Sequence, residues 1–295
     1  MLSCISKVLA KCVHDQIQKY LIANDIIYEY QTGFRPGYST ETCLVYLTDF
    51  IKANIAKGYY VGALLLDVQK AFDCVNHQIL CDKINAIGID STWFEAYLSG
   101  RKQTVTINGI SSDPLNITSG VPQGSLLGPL LYLIYSNDMV LSIKHKLLLY
   151  ADDSVLLVCD KNPEAVSKSL SSELENCNNW LIDNKLSLHV GKTECILFGS
   201  KRTLKGVNAF TVNYKGTTIT NSSTVKYLGV VLDNNLSGER MVSTVSAKAI
   251  GKLKFLYRYG HILSSQIRRK LCSALIQCHP DYWYNSLLAK DKCKL

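Results

Sequence analysis

The stretch LLLYADDSVLL, residues 147–157, sets two carboxylates, Asp152 and Asp153, side by side in the middle of an apolar run. A solvated loop is normally polar on both sides of its acidic residues. Here the flanks are Leu, Val and Tyr, which suit strands. The pattern reads as strand, tight turn, strand, with Ala151-Asp152-Asp153 at the turn. A hairpin tip of this kind can present two carboxylates to one point outside a sheet. Asp is also common in ordinary turns, and this segment taken alone favours that plainer reading. The rest of the chain has to decide.

Working outward, YYVGALLLDV is a short, almost wholly apolar run that ends at a third carboxylate, Asp67. It reads as a buried strand with an acid at its C-terminal end. A helix is expected next, through Phe72 and Val75 to about Ile87, with Gly88 closing it. Trp93 to Leu98 is a further helical piece, and RKQTVTING alternates like a strand. SGVPQGSLLGPLLYLIYSNDM opens as a Gly/Pro loop and becomes an apolar helix. Beyond the acidic hairpin, Pro163 to Leu186 reads as a long helix, KTECILFG as a strand and VKYLGVVLD as a strand or hairpin arm. Upstream, residues 1–30 read as a helix and its exit. The loop QTGFRPGYST comes next, and Ser39 or Thr40 can cap the helix after it. Interleaved strands and helices indicate an α/β or α+β core.

With 295 residues, 47% of them apolar, the chain can bury a core in one large domain or two to three subdomains. No apolar run is long enough to span a bilayer. The first segment, MLSCISKVLAKCVHDQIQKYLI, has helical apolar spacing and no cleavage site, so no signal peptide is read there. Eleven cysteines without a CxxC pair exclude a convincing zinc site and suggest reduced, mostly buried thiols in an intracellular protein, nuclear or cytoplasmic. Charge is uneven: residues 238–295 hold 11 Lys or Arg against 3 Asp or Glu, while residues 1–237 hold 21 of each. A basic helical segment of this kind suits a polyanion, although a solvated basic helix pair has the same composition.

Taken in order, LLLDVQKAFDCVNH, SGVPQGSLLGPLL, YADD, NKLSLHVGKTECILF and VKYLGVVLD resemble the reverse transcriptase domain of non-LTR (LINE-type, jockey-like) retrotransposons. QTGFRPGYST and YLSGRKQTVTING are similar to that family too, and the resemblance covers nearly the whole chain. It implies an α+β right-hand polymerase fold with fingers, a palm built on an antiparallel sheet, and a helical thumb. On this chain the division would be 1–58 partial fingers, 59–83 first part of the palm and 84–118 a fingers/palm insertion. Residues 119–237 would be palm with the catalytic hairpin and primer grip, and 238–295 a basic thumb. The implied activity is RNA-directed DNA polymerisation. The implied partners are an RNA template, a DNA primer or target DNA and deoxynucleoside triphosphates, with no membrane and no oligomeric state specified.

The resemblance also assigns roles. Asp67, Asp152 and, as the lesser ligand, Asp153 would hold two Mg²⁺ ions, with Mn²⁺ able to substitute, and the Val68 carbonyl would lie near a metal. Mg²⁺ prefers hard oxygen donors, and a two-ion site can activate the attacking hydroxyl and stabilise the leaving pyrophosphate. Phe72 would pack under the nucleotide sugar and exclude a 2′-hydroxyl; as a bare position it reads as the apolar face of a helix. Arg35 would pair with triphosphate oxygens, or be a surface arginine. Gly120, Pro122, Gln123 and Gly124 would form the loop against which template and incoming base pair stack. Lys192 would act as general acid toward pyrophosphate. Tyr227, Leu228 and Gly229 would form the primer grip. Arg101 and Lys102 would touch template phosphate or face solvent. Asp73 and His77 read as structural.

The chain departs from the family pattern in three places. It begins after the Arg-Pro-Ile-Ser segment that usually precedes the first helix, so the fingers are expected to be incomplete. Neither an upstream endonuclease nor a downstream zinc knuckle is expected from the residues read. HVGKT stands where the family has NPKKT. A competing expectation is therefore a truncated, catalytically inactive remnant that still binds nucleic acid. A viral-type RNA polymerase and a group II intron-type enzyme fit less well, the first because it would not need Phe72, the second because of the WLIDNKLSLHVGKTECILF segment.

Overall fold

The structure is a computed structural model that describes residues 4–207, 209–278 and 281–282. Its chain divides into two compact units, Met1–Pro36 with Leu66–Ser154 and Ser172–Thr193, and Gly37–Leu65 with Val155–Ser171 and Glu194–Leu295.

The first unit is mainly helical. α1 (Cys4–Ala23) carries Ile17 and Leu21 into the core. After it come α3 (His77–Ala86), α4 (Thr92–Leu98) and α5 (Leu127–Ser136); α2 (Thr40–Ala56) belongs to the second unit. α5 is buried on every side apart from Pro129 and packs against α1 and α3. A short helix that is apolar all round can only sit inside a core. The expected helix over Phe72 to Ile87 begins later, at His77, with Asn76 as its cap: the Asn76 side chain accepts from Ile79 N. Residues 70–74 form turns instead. Lys70 has φ 45°, and the carbonyls of Phe72 and Val75 accept from Val121 N (2.9 Å) and Gly120 N (2.8 Å). Those carbonyls are taken by a distant segment, so helix propensity there is overridden.

The run RKQTVTING also differs from a single strand. It folds with the following residues into a nested ribbon, in which β2 (Lys102–Gln103) pairs with β5 (Leu115–Asn116) and β3 (Thr106–Ile107) with β4 (Ile110–Ser111). Asn108 and Gly109 have φ 51° and 82°, the positive pair that a two-residue hairpin turn with matching twist requires. β6 (Lys146–Tyr150) also belongs to this unit and leads through a tight turn into β7 (Asp153–Asp160), as the sequence pattern indicated.

In the second unit β1 (Tyr60–Leu66) lies between β7 and β8 (Glu194–Phe198). β1 and β8 are antiparallel, with Val61 opposite Phe198 and Leu65 opposite Glu194. α2 starts in a capping box between Ser39 and Thr42. α6 (Pro163–Asp183) begins here, and α7 (Lys201–Leu204) is a single turn. Two further hairpins come after it: β9 (Thr211–Tyr214) with β10 (Thr217–Thr220), which alternation did not reveal, and β11 (Thr224–Tyr227) with β12 (Val230–Asp233). α8 (Glu239–Tyr259) packs on β12, and α9 (Ser265–Cys272) continues into a π-helical turn, Ser273–Gln277. The stretch HPDYWYNSLL, residues 279–288, which resembles the ending of the family's thumb, lies outside the described residues except for Asp281 and Tyr282.

Cys43, Cys81, Cys177 and Cys195 are buried, and burial pushes the thiols of Cys177 and Cys195 up to about 12, which makes them inert at neutral pH. Cys12, Cys272 and Cys278 are exposed, so the expectation of mostly buried thiols holds for only part of the set. Among the described residues, no helix is long and apolar enough to cross a membrane.

The closest packing constraint on β1 is Gly62. A Cβ built there would fall 2.4 Å from Val166 Cγ1 and 2.7 Å from Leu170 Cδ1, both on α6 and fully buried. Overpacking of this kind costs about 1–3 kcal/mol. Gly62→Ala is therefore expected to lower the unfolding free energy by that amount, read in urea as a lower midpoint with an unchanged slope.

Candidate active site

β1 leaves the sheet at Leu66, and backbone pairing fixes the path of the next three residues. His189 N donates to Asp67 O (2.7 Å) and Gln69 N to Ser187 O (2.9 Å), with Val68, itself buried, opposite Leu188. The 3₁₀ turn Val190–Lys192 continues from that pairing and carries Lys192 back over the strand end, so that Lys192 Nζ lies 3.4 Å from Asp67 Oδ2. The substituted HVGKT sequence therefore still delivers its lysine to the carboxylate.

The second acidic group is the turn between β6 and β7. Ala151 is held at φ 58°, which lets the chain reverse so that Asp152 projects from the tip and Asp153 opens β7. The Asp153 carboxyl is pushed above its ordinary range. Partial desolvation is the main cause, followed by the negative charges of Asp152 and then Asp67. The buried Tyr132 hydroxyl is raised as well, by burial first and then by Asp152. These couplings bring Asp67, Asp152, Asp153 and Lys192 into one electrostatic neighbourhood.

Around it lies an aromatic group. Phe72 rests at 4.6 Å, ring to ring, on Tyr132, and meets Phe34 edge-on at 6.2 Å. The turn that carries Phe72 is stitched to the 119–123 loop. His77 Nε2 donates to Gly120 O (2.8 Å), Ser119 Oγ to Asp73 O (3.2 Å) and Gln123 Nε2 to Asp73 Oδ1 (2.8 Å). Gly120 has φ 87°, and a Cβ on it would stand 2.7 Å from Asp73 O, so that position requires glycine. Asp73 and His77, through these bonds, frame the loop of Gly120, Pro122, Gln123 and Gly124. A groove of about 800 Å³ runs beside that loop, lined by Lys70, Arg101, Lys102, Leu115, Pro122 and Gln123 among others. Arg101 stacks over Tyr97 at 4.5 Å and donates from Nε to Tyr97 O (2.7 Å).

Other expected site residues have partners of their own. Arg35 Nη1 donates to the carbonyls of Tyr28 (3.0 Å), Gln31 (3.1 Å) and Glu29 (3.4 Å), which ties the guanidinium to its own loop. In the second unit Leu228 and Gly229 form a two-residue turn with φ 44° and 83°. The Tyr227 side chain is buried, with its hydroxyl 3.3 Å from Cys43 Sγ, and Tyr282 Oη donates to Leu228 O (2.6 Å). Tyr132, Gln31 and Tyr282 were not singled out from sequence. Only Gln31 carried a signal, as the first residue of QTGFRPGYST.

Among the described residues no three His, Cys, Asp or Glu side chains converge as a metal site. The donor chemistry nevertheless fits a divalent cation. The carboxylates are hard oxygen donors whose charges oppose one another, and a cationic ammonium already stands against one of them.

With this fold and acidic tip in place, residues 1–232 match the reverse transcriptase (RNA-dependent DNA polymerase) family. The chain belongs to that family. It is 27% identical over 289 residues to the RNA-directed DNA polymerase from mobile element jockey of Drosophila funebris, covering 94% of this chain and 31% of that protein. It is 29% identical over 283 residues to the probable RNA-directed DNA polymerase from transposon X-element of Drosophila melanogaster, covering 93% and 30%. The chain thus spans about a third of the length of these relatives. Among solved structures, telomerase from Candida tropicalis in complex with a TWJ fragment of telomeric RNA shares the fold, with TM-score 0.55, 13% identity, and coverage of 99% of this chain and 48% of that one. The polymerase fold and the jockey-like relationship read from the motifs are those the comparisons return.

The electrostatics give a prediction. A carboxyl raised in the folded state is penalised when ionised. The penalty is present at neutral pH and vanishes as pH falls through the folded value to the ordinary one. Asp153→Asn is therefore expected to raise Tm in metal-free buffer at pH 7, by about 1 °C because solvent screens the exposed tip. The gain should disappear below about pH 4; Tm measured from pH 3.5 to 8 checks both.

Proposed function

We propose that this chain is the polymerase portion of an RNA-directed DNA polymerase from a non-LTR mobile element, extending a DNA 3′ end on an RNA template. The observation that carries the reading is the electrostatic meeting of Asp67, at the end of β1, with the Asp152–Asp153 tip, and with Lys192 beside it. Membership of the reverse transcriptase family and the RNA-directed DNA polymerases among its relatives support it.

Reverse transcriptases generally use divalent metals. Two Mg²⁺ ions, or Mn²⁺, would supply the charge that activates a primer 3′-hydroxyl and stabilises departing pyrophosphate. Asp67 and Asp152 would hold them, with Asp153 and the Val68 carbonyl as lesser donors. Lys192 would give a proton to pyrophosphate, a role supported by its ammonium lying 3.4 Å from the Asp67 carboxylate. Phe72, propped on Tyr132, would present its ring to the sugar of a deoxynucleoside triphosphate. Arg35, anchored by three carbonyls, would set the shape of the triphosphate loop. The groove beside Gly120, Pro122, Gln123 and Gly124 would take the template, with Lys70, Arg101 and Lys102 toward its phosphates. The Leu228–Gly229 turn would touch primer through its backbone, because the Tyr227 ring is buried. The basic α8 and α9 would hold duplex phosphates, giving affinity that falls steeply with salt. The compartment would be intracellular, nucleus or cytoplasm.

Primer extension on an RNA template annealed to a DNA primer tests this. Asp152→Asn is expected to lower extension by roughly 10³-fold or more while template–primer Kd changes little. Extension that survives the substitution would remove the ion-binding assignment. Duplex binding without any extension by the wild type would favour a non-catalytic nucleic-acid-binding protein. Phe72→Ala is expected to raise ribonucleotide incorporation relative to deoxynucleotide by roughly tenfold or more, the scale of a lost steric exclusion of one group. Unchanged sugar selectivity in competition assays would make Phe72 a packing residue only.

A further inference from the structure

The Asp152 turn does not hold itself. Ala151, immediately before it, sits at φ 58°, where an L-residue other than glycine is disfavoured by about 1–2 kcal/mol. The segment 30–33 lies alongside. Leu149 N donates to Tyr30 O (3.0 Å), Thr32 N to Leu149 O (2.8 Å), and Gln31 bridges Leu149 in parallel register. Gln31 is fully buried, and its side-chain oxygen accepts from two backbone donors, Gly33 N (3.0 Å) and Ala151 N (3.3 Å). Gly33 presses on the same turn, so closely that a Cβ there would fall 2.4 Å from Ala151 N.

The chemistry of that position is narrow. With two N–H groups facing one end of the amide, the oxygen must be the end that faces them; a flipped amide would oppose donor to donor. The amide nitrogen is then left buried without a partner, at a cost of about 1–3 kcal/mol. Glutamate would remove that orphan donor but would add a negative charge beside carboxylates that already repel one another. An apolar residue of equal length would leave both backbone donors unpaired. A neutral acceptor of glutamine's length avoids both. Retention of an unsatisfied buried donor next to a strained turn is what a site under functional constraint tolerates.

We infer that Gln31 is a positioning residue for Asp152: its side-chain oxygen fixes the Ala151 N–H and with it the direction in which the acidic tip offers its carboxylate to a divalent ion. The inference rests on the proposed role of Asp152 and concerns a residue that touches neither ion nor substrate. Groups one step behind metal ligands typically contribute 10–100-fold to metal affinity or activity.

The test uses the full chain as wild type, Gln31→Met, which keeps length and apolar bulk but no acceptor, and Gln31→Glu, which keeps an acceptor. Amide hydrogen exchange reads the clamp, Mn²⁺ titration by water-proton relaxation reads the ion site, and primer extension with template–primer Kd reads function. In the wild type the Ala151 amide should exchange at least about tenfold more slowly than that of Asp152. Gln31→Met should open Ala151 exchange about tenfold, weaken Mn²⁺ about tenfold and lower kcat by about 10–100-fold, with Kd for template–primer within about twofold. Gln31→Glu should restore Ala151 protection. An unprotected Ala151 in the wild type, or unchanged exchange in Gln31→Met, overturns the clamp; should Gln31→Met not fold, the wild-type protection and Gln31→Glu decide. Opened exchange with unchanged Mn²⁺ affinity and kcat overturns the positioning role and leaves a structural one. A wild type that neither binds Mn²⁺ nor extends primer sinks the functional reading and the positioning of an ion ligand with it, whereas the clamp itself is still judged by exchange.

Discussion

Like charges brought to one place are the constraint that orders the first unit. Asp67, Asp152 and Asp153 come from segments 85 residues apart in sequence, and burial first, then the charges of Asp152 and Asp67, push the Asp153 carboxyl up. Side chains bonded directly to the carboxylates would compete for them. Most of the hold comes from backbone pairing, with the Gln31 amide oxygen bracing Ala151 at the hairpin. Residues 187–189 pair with 67–69, residues 30–33 pair along β6, and residues 119–121 pair with the turn that carries Phe72. Three strand-like contacts, each only a few residues long, set the strand end, the hairpin tip and the aromatic floor while leaving the acidic oxygens outward.

That arrangement explains which parts were legible in the sequence. The hairpin at Ala151–Asp153 and the strand ending at Asp67 are local patterns of apolar runs closed by an acid, so they could be read directly. The apolar α5 and the cap at Ser39 are local as well. Phe72 was read onto a helix because its neighbours have helical spacing. The hydrogen bonds that prevent the helix come from Val121 and Gly120, about 45–50 positions away, and no window along the chain contains them. Arg35 carried the signature of an anion-binding residue, yet its guanidinium meets three carbonyls supplied by the preceding turn. Residue type gave the chemistry there, and only coordinates could give the partner. The ribbon of β2 to β5 was half visible, since Asn108-Gly109 is a turn signal but two-residue strands leave no period to detect.

The family resemblance and the local physics cover different ground. A solved chain at 13% identity shares the fold across nearly all of this chain, so the fold persists although most residues differ. It says nothing about charge. The balance at the acidic tip depends on this chain's own residues, including a lysine delivered by HVGKT rather than by the family's usual sequence.

That lysine shows why the tip can be both stable and adaptable. Lys192 and Asp67 lie 3.4 Å apart, but with side chains 66% and 38% exposed their attraction is screened by water. Pairs of this kind contribute at most about 1 kcal/mol. The ammonium therefore lowers the local negative potential without locking Asp67. A divalent cation, with twice the charge and direct oxygen coordination, would outcompete it at the same carboxylate. Displacement would not carry the lysine away, because the 3₁₀ turn that bears it is tied to His189 and, through His189 N, to the carbonyl of Asp67 itself. The same backbone pairing that orients the acid thus keeps an ammonium within one side-chain length of it, whichever cation the carboxylate holds.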